Sequence, residues 1–289
     1  MTTLISVIVA TYNRPDALGA CLRALSVQTD RNFEVIVADD GSEEETGALV
    51  AAWSRKAAVP IKHAWHPDRG FRLAEIRNRA IRISSGAYCV FLDGDCIPRP
   101  DFVAAHRRLM EKGWFVTGNR VLLSQTLTER ILRDALEPEH WGFWTWVGCR
   151  VRGEVNRLSP LFGMAFGRFR KRQPRRWTGA RGSNMAFWRS DLDAIDGFDA
   201  AFTGWGREDS DIFIRMIRNG VRRKDGRFAT AVLHLWHPEA DRSMLSDNER
   251  RLAELRSGKR VRAQVGLSDL VEEIERNKPQ FLHAQPAVS

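Results

Sequence analysis

The sequence lacks the segments that mark a secreted or membrane-spanning protein. No apolar run reaches the roughly 18 residues that a spanning helix needs, and residues 1–10 do not have the charge pattern of a signal peptide. We therefore expect a cytoplasmic protein. The four cysteines, at positions 21, 89, 96 and 149, show no paired metal-binding spacing. Reduced, structural thiols are the expected state.

A glycine-rich phosphate loop is also missing. The first apolar run, residues 4–10, ends in Thr11-Tyr12-Asn13-Arg14-Pro15, which matches neither a dinucleotide-binding fingerprint nor a Walker loop. This argues against dehydrogenases and P-loop kinases. A phosphorylated ligand has to be held by a metal ion and side chains instead.

The composition is that of a globular protein with an excess of positive charge. The 289 residues are 43% hydrophobic and 28% charged, with a formal net charge of +9. The excess is concentrated in a basic segment, residues 150–182, which contains a single acid, Glu154. Such a run binds nucleic acid, anionic lipid or a phosphorylated substrate, or forms a mobile, solvated surface loop.

The first hundred residues alternate between apolar strands and amphipathic helices. The predicted strands are 4–10, 33–38, 61–65 and 88–92, and the predicted helices are 17–25, 43–55 and 73–84. This alternation predicts a parallel sheet covered by helices on both faces. Ligands of such sheets bind beyond the carboxyl ends of the strands. The polar clusters at 11–14, 39–42 and 93–95 are therefore expected in one crevice.

The cluster at 93–95 is an acidic pair. If the strand continues through Gly94, Asp93 and Asp95 point the same way and can converge on a divalent metal; the alternative is an acidic turn. Asp40 can accept a hydrogen bond from a nucleotide base or a ribose hydroxyl, and Tyr12 can cover a base. Ser42 is expected to cap the helix that follows. Arg77 is either a diphosphate clamp or one solvated arginine of an arginine-rich helix.

The second half of the chain carries a further acidic cluster and two histidines. Helices are expected at 101–112 and 127–136, and strands at 182–187 and 228–233. Glu208, Asp209 and Asp211 follow Gly204-Trp205-Gly206 at the start of a helix, where the macrodipole stabilises acids. The same arrangement suits a general base beside an aromatic sugar platform. His234 and His237 are either metal ligands, with manganese suited to mixed oxygen and nitrogen donors, or structural histidines.

These motifs together resemble the family-two, GT-A fold glycosyltransferases. The resemblance is carried by the opening Val7–Arg14, the turn Val37–Ser42, Arg77-Asn78 and Leu92–Asp95. The stretch Gly197–Asp209 resembles the galactosyltransferase-type C-terminal motif of chondroitin-polymerase-like bacterial enzymes. The resemblance as a whole implies a GT-A domain over residues 1–240, with a donor half (1–100) and an acceptor half (101–240). A C-terminal helical extension and tail follow at 241–289.

The resemblance implies a role for each matching position. The candidate donor-binding residues are Ala10, Thr11, Tyr12, Arg14, Asp40, Arg77, Asp93, Gly94 and Asp95. The candidate acceptor-binding residues are Trp205, Gly206 and Glu208, with Asp209 as catalytic base and Glu208 as a second catalytic acid. The candidate ligands of Mn²⁺ or Mg²⁺ are Asp93, Asp95, His234 and His237.

The implied activity is metal-dependent, inverting transfer of a sugar from a nucleotide-diphosphate sugar. The implied acceptor is a glycan or lipid-linked saccharide, as in lipopolysaccharide core or surface-polysaccharide assembly, with peripheral contact to an anionic membrane and no nucleic acid. Ser210 interrupts the acidic row, which leaves the role of Asp211 open, and the segment 141–181 is expected to set acceptor specificity. Two alternatives remain, an inactive transferase-fold protein that binds anionic lipid or nucleic acid and a nucleotidyltransferase.

The C-terminal extension is expected to be helical. Ser246 to Glu249 has the form of a capping box, which predicts a helix that begins there. A second helix is predicted at 268–276 and a disordered tail from Pro279.

Overall fold

A computed structural model describes residues 2–161, 163 and 167–270. Its first half alternates strands and helices as the sequence predicts, with bounds that shift by no more than two residues. The elements are β1 (Ile5–Thr11), α1 (Pro15–Ser26), β2 (Phe33–Asp39), α2 (Glu44–Lys56), β3 (Ile61–Trp65), α3 (Leu73–Ile83) and β4 (Tyr88–Asp93).

The second half is less regular. Its elements are β5 (Cys96–Pro98), α4 (Phe102–Leu109), β6 (Trp114–Thr117), β7 (Arg120–Leu122), α5 (Gln125–Arg133), α6 (Phe143–Val151), β8 (Asn184–Trp188), α7 (Arg189–Ala194), α8 (Glu208–Arg218), β9 (Arg222–Asp225), β10 (Val232–His234) and α9 (Leu245–Ser257). Short 3₁₀ turns lie at Pro138–His140, Ser159–Leu161 and Gly167–Lys171.

A seven-stranded sheet forms the centre of the molecule, in the order β3-β2-β1-β4-β8-β6-β9. Its neighbours are parallel except that β8 runs antiparallel to both β4 and β6. Both faces are covered because alternate residues of the strands enter two separate apolar clusters. Val7 packs in the cluster that contains α1, and Ile8 packs in the cluster that contains α3. The predicted mostly parallel α/β sheet flanked by helices is confirmed.

A small sheet, in the order β5-β10-β7, extends the carboxyl end of β4. Cys96 pairs with His234 in its register, and the Leu235 amide donates to Asp95 O at 2.9 Å. This pairing places the end of β10, from the distant second half of the chain, beside the acidic pair.

Several local predictions are wrong. The strand expected at 228–233 is only Val232–His234, because Phe228 has a left-handed backbone with φ 63°. Ser42 does not cap α2; its hydroxyl accepts from the Asn13 amide. The basic segment is not simply a solvated loop, since its Arg170 is buried and donates to the carbonyl oxygens of Asp225 and Arg227.

The C-terminal extension packs on α8 through Leu252 and Leu255, which contact Ile214. Its helix begins at Leu245, one residue before Ser246, and no side chain caps it, so the predicted capping box is wrong. Residues 268–270 are described, but the rest of the helix predicted at 268–276 and the tail from Pro279 lie outside the described residues. The four cysteines are buried and free, as expected.

Candidate active site

A turn at Gly94 separates the two carboxylates of the acidic pair. The strand ends at Asp93, and the Gly94 amide donates to Ala10 O at 2.7 Å. A Cβ at Gly94 would lie 2.9 Å from the same oxygen, which explains why glycine occupies this position. Because the strand does not continue through Gly94, Asp93 and Asp95 take different partners.

Asp95 lies beside His234 and His237. One possible ligand atom from each side chain lies within 4.8 Å of the other two. The Asp95 Oδ2 atom is 3.6 Å from His234 Nε2 and 3.3 Å from His237 Nε2. Asp93 is not a member of this cluster, and its Oδ1 accepts from Arg77 Nη2 at 3.0 Å.

The chemistry of this cluster fits a divalent metal. The Nδ1 atom of His237 lies 2.6 Å from Pro238 O. Since a carbonyl oxygen can only accept, Nδ1 carries a proton, and Nε2 is the ring atom that faces Asp95 and is placed to bind a metal. Burial lowers the pKa of His234, although Asp95 opposes the effect, so neutral imidazole is favoured. Both histidines therefore suit metal binding.

Arg77 is a buried link between the two acidic regions. Its side chain is only 1% exposed, so the prediction of a solvated arginine is wrong for this member of α3. Besides Asp93, Nη2 donates to Gly182 O at 3.3 Å, and Nη1 lies 3.6 Å from Glu208 Oε1. In this position the guanidinium contacts three protein groups, and its role as a diphosphate clamp stays a prediction.

Glu208 and Asp209 begin α8, where the preceding Arg207 adopts a left-handed backbone with φ 78°. Asp209 Oδ2 accepts from the Gly182 amide at 3.1 Å. Burial and the neighbouring Asp209 charge raise the pKa of Glu208 to about 7, against the opposing charge of Arg77. Glu208 is therefore only partly ionised near neutral pH.

Asp211, whose role the sequence left open, does not line the site. It is completely buried and accepts from Arg215 Nε at 2.8 Å and Nη2 at 2.5 Å. Arg215 also donates to the carbonyl oxygens of Ile195 and Gly197. This ion pair fixes α8 against the loop that precedes it.

Trp205 lies on the loop before α8 and is partly exposed. The guanidinium of Arg242 lies over its ring, 4.9 Å from the centroid. Gly206 adopts φ 107°, a conformation that favours glycine and turns the chain immediately after the ring. One face of Trp205 is thus covered by a cation, and a saccharide stacking on that face would meet Arg242.

Asp40 lies in a buried network at the end of β2. Its Oδ1 is 2.6 Å from His66 Nε2, and its Oδ2 accepts from the Arg72 amide at 2.8 Å. Burial lowers the pKa of His66, but the hydrogen bonds to Asp40 and Glu75 outweigh this and raise it overall. The sequence indicated Asp40 but not His66, because an isolated histidine gives no pattern.

The remaining donor-side candidates line the ends of β1. Ala10 and Thr11 are buried, and the Tyr12 hydroxyl donates to Asp68 Oδ2 at 2.8 Å. Arg14 points to the surface and pairs with Asp16 at 3.0 Å. Tyr12 is thus exposed and held by Asp68, which the sequence does not indicate, and Arg14 is paired with its neighbour Asp16.

Arg120 is a third residue, after His66 and Asp68, that the sequence does not indicate. In the small sheet it pairs with Val232, two residues before His234, so both side chains point to the same face. Its positive charge counteracts the burial that raises the pKa of Asp93. A lone arginine gives no sequence signal, and only the β7–β10 pairing reveals its position.

Comparison with solved structures confirms the GT-A fold. The mannosyltransferase PcManGT from Pyrobaculum calidifontis, solved in complex with GDP-Man and Mn²⁺, superposes with a TM-score of 0.52 at 16% identity, over 97% of this chain and 77% of that one. Among the described residues no helix is long and apolar enough to cross a bilayer.

Sequence comparison then gives the family. Residues 6–193 match glycosyl transferase family 2, and residues 166–238 match the N-terminal domain of galactosyltransferase. This chain belongs to glycosyl transferase family 2. It is 28% identical over 232 residues to the validoxylamine A glucosyltransferase of Streptomyces hygroscopicus subsp. jinggangensis, and 28% identical over 227 residues to the chondroitin synthase of Escherichia coli. Each match covers 75% of this chain, but only 52% and 32% of those two proteins.

Proposed function

We propose that this protein is an inverting glycosyltransferase that moves a sugar from a nucleotide-diphosphate sugar to a hydroxyl group of a saccharide acceptor. One observation carries the proposal. Arg77 contacts both Asp93, which lies two residues before Asp95 in the chain, and Glu208, so the Asp95–histidine cluster and the Glu208–Asp209 pair lie on either side of one buried arginine. Family membership and the names of the relatives support the same reaction class.

Asp95, His234 and His237 hold a divalent ion in this proposal, with Mn²⁺ favoured by the mixed ligands. Such an ion supplies positive charge to the departing diphosphate. The neighbouring Arg120 adds a fixed cation on the same face, and Asp40 and Tyr12 line the position of the nucleoside. The GDP-Man and Mn²⁺ in the Pyrobaculum structure support this assignment of the donor side.

Asp209 is the general base of the proposed reaction. Its carboxylate takes the proton of the acceptor hydroxyl, whose oxygen forms a bond to the anomeric carbon. The bond from that carbon to the diphosphate oxygen breaks on the opposite face, and the diphosphate leaves with the electron pair. One displacement inverts the anomeric configuration. Glu208, with its raised pKa, and Trp205 form the acceptor side.

The acceptor in this proposal is a glycan or lipid-linked saccharide of surface-polysaccharide or lipopolysaccharide assembly. The chondroitin synthase relative supports a saccharide acceptor. Three exposed arginines of the basic segment, Arg168, Arg172 and Arg175, are available for acceptor phosphates or anionic lipid. Residues 1–100 form the donor half and residues 101–240 the acceptor half.

An Asp209→Asn variant tests the proposal by separating binding from turnover. Calorimetry with each nucleotide sugar and Mn²⁺ is expected to show donor binding by the variant within about twofold of wild type. Turnover is expected to fall by at least about 100-fold, since a positioned base contributes roughly 10²–10⁴ in rate. Full turnover by the variant contradicts the role of Asp209, and failure of wild type to bind any donor contradicts the reaction class.

A further inference from the structure

One face of α6 exposes apolar side chains to solvent. Trp144 and Val151 are 79% and 82% exposed, and Phe143 is 47% exposed. Phe143, Val147 and Val151 follow one another at four-residue spacing, so they form a row along the helix, with Trp144 beside it. These four side chains, of which Val147 is half-buried, together define the α6 apolar face.

The opposite side of α6 is anchored in the core. Trp146 and Cys149 are buried in the cluster that also contains Leu233 and Leu235. These two leucines flank His234, so α6 is fixed to the segment that carries the metal ligands. The α6 apolar face is therefore carried by a helix that shares its core with the segment that bears His234.

The charged residues of α6 itself and of the turn that follows it are positive. From Trp141 to Gly153 the chain contains two arginines and no acid. Arg150 is exposed, and Arg152 donates to Glu154 Oε2 at 2.8 Å. Tryptophan, phenylalanine and arginine on one short helix suit the boundary between headgroups and acyl chains.

The size of the face also favours a bilayer over a protein partner. Four side chains with these exposures present about 400 Å² of apolar surface. A stable protein interface needs about 800 Å² from each partner. A membrane accepts a single helix face, because apolar insertion adds to the attraction between arginine and anionic lipid.

We propose that α6 is a membrane-docking helix that inserts Trp144 and Val151 into an anionic bilayer, with Arg150 at headgroup level. The purpose of this docking, access to a lipid-linked acceptor, rests on the proposed function; the binding itself does not. The docking surface is then α6, and the basic segment 150–182 beyond Arg150 plays a secondary part.

Flotation with vesicles of equal phosphatidylglycerol and phosphatidylcholine tests this proposal. Wild type is expected to bind these vesicles and to bind pure phosphatidylcholine more weakly. The double variant Trp144→Ser, Val151→Ser is expected to lower the partition coefficient by at least about tenfold. This is the loss expected when one large apolar side chain is no longer buried in the bilayer. Arg150→Ser lowers it by about fivefold, the contribution of one cation at an anionic surface.

Two matched controls lie away from α6. Val265 is an exposed valine of the C-terminal segment, and Arg55 is an exposed arginine of α2. Val265→Ser and Arg55→Ser are expected to bind vesicles like wild type. An unchanged circular dichroism spectrum of the α6 variants shows that they remain folded.

Three results overturn the proposal. Wild type that does not float with anionic vesicles contradicts it, as do α6 variants that bind like Val265→Ser. A wild-type dimer that becomes monomeric when Trp144 is replaced assigns the face to a second copy of the chain instead. Release of nucleoside diphosphate from a soluble donor is measured on the same variants without vesicles. This assay tests the transferase proposal independently of membrane binding.

Discussion

The raised pKa of Glu208 makes a quantitative prediction about stability. Burial, followed by the negative charge of Asp209, moves this pKa from 4.5 to about 7, and Arg77 opposes the change. One pKa unit corresponds to about 1.4 kcal/mol. Ionised Glu208 therefore lowers the free energy of unfolding by about 3 kcal/mol relative to its protonated form.

The direction of the pH dependence follows from the two states. Below pH 4.5 Glu208 is protonated in both the folded and the unfolded chain, and the protein then has the full stability that neutral Glu208 allows. As pH rises to about 7 the unfolded chain releases the proton while the folded chain keeps it, so this stability is lost. The side chain of the Glu208→Gln variant cannot ionise, so this variant keeps its stability as pH rises. The variant should exceed wild type by about 3 kcal/mol at pH 8 and by less than about 1 kcal/mol at pH 5.

Urea denaturation with a metal chelator, followed by tryptophan fluorescence at both pH values, measures this difference. Glu254→Gln is the matched control because Glu254 is an exposed glutamate of α9. Its stability relative to wild type should not change with pH. If Glu208→Gln differs from wild type by the same amount at pH 5 and pH 8, the explanation of the Glu208 pKa is wrong.

Three further predictions concern the proposed metal centre, the core and the proposed acceptor side. Asp95→Asn should weaken Mn²⁺ binding by about 10-fold or more in calorimetry, because the cluster keeps only its two imidazoles; unchanged affinity would place the ion elsewhere. Asp211→Asn should cost about 3–5 kcal/mol in urea denaturation, since it leaves Arg215 charged and completely buried; a loss below about 1 kcal/mol would contradict the importance of this pair. Trp205→Ala should raise the KM for a saccharide acceptor by roughly tenfold while the Kd of the donor stays constant; a parallel loss of donor binding would remove Trp205 from the acceptor side.

The sequence predicts the first half of the fold well because burial dominates there. Strands β1 and β2 are buried at every residue, so their sequences are mostly apolar, interrupted only by Ser6 and Glu34, and polar residues mark their carboxyl ends. Strand β9 was missed because its sequence, Arg-Arg-Lys-Asp, has no apolar pattern. It forms because β6 provides a pairing partner at the edge of the sheet.

The candidate site is predictable in its residue types but not in its pairings. The motifs indicate Asp95, His234 and His237, and only the β5–β10 register brings them together. The division between Asp93 and Asp95 depends on the close approach of Gly94 to Ala10, which a strand pattern does not contain. A histidine or arginine without a motif, such as His66 or Arg120, becomes visible only when tertiary structure gives it a partner.

The most direct test of the proposed reaction is release of nucleoside diphosphate from a panel of nucleotide sugars, with and without Mn²⁺. Wild type, Asp95→Asn and Asp134→Asn are compared, the last being an exposed aspartate paired with Arg133. Slow release from one donor that requires Mn²⁺, is lost in Asp95→Asn and is retained in Asp134→Asn is the predicted result. Release that is indifferent to Mn²⁺ and to Asp95, or no release together with no donor binding in calorimetry, would contradict the account.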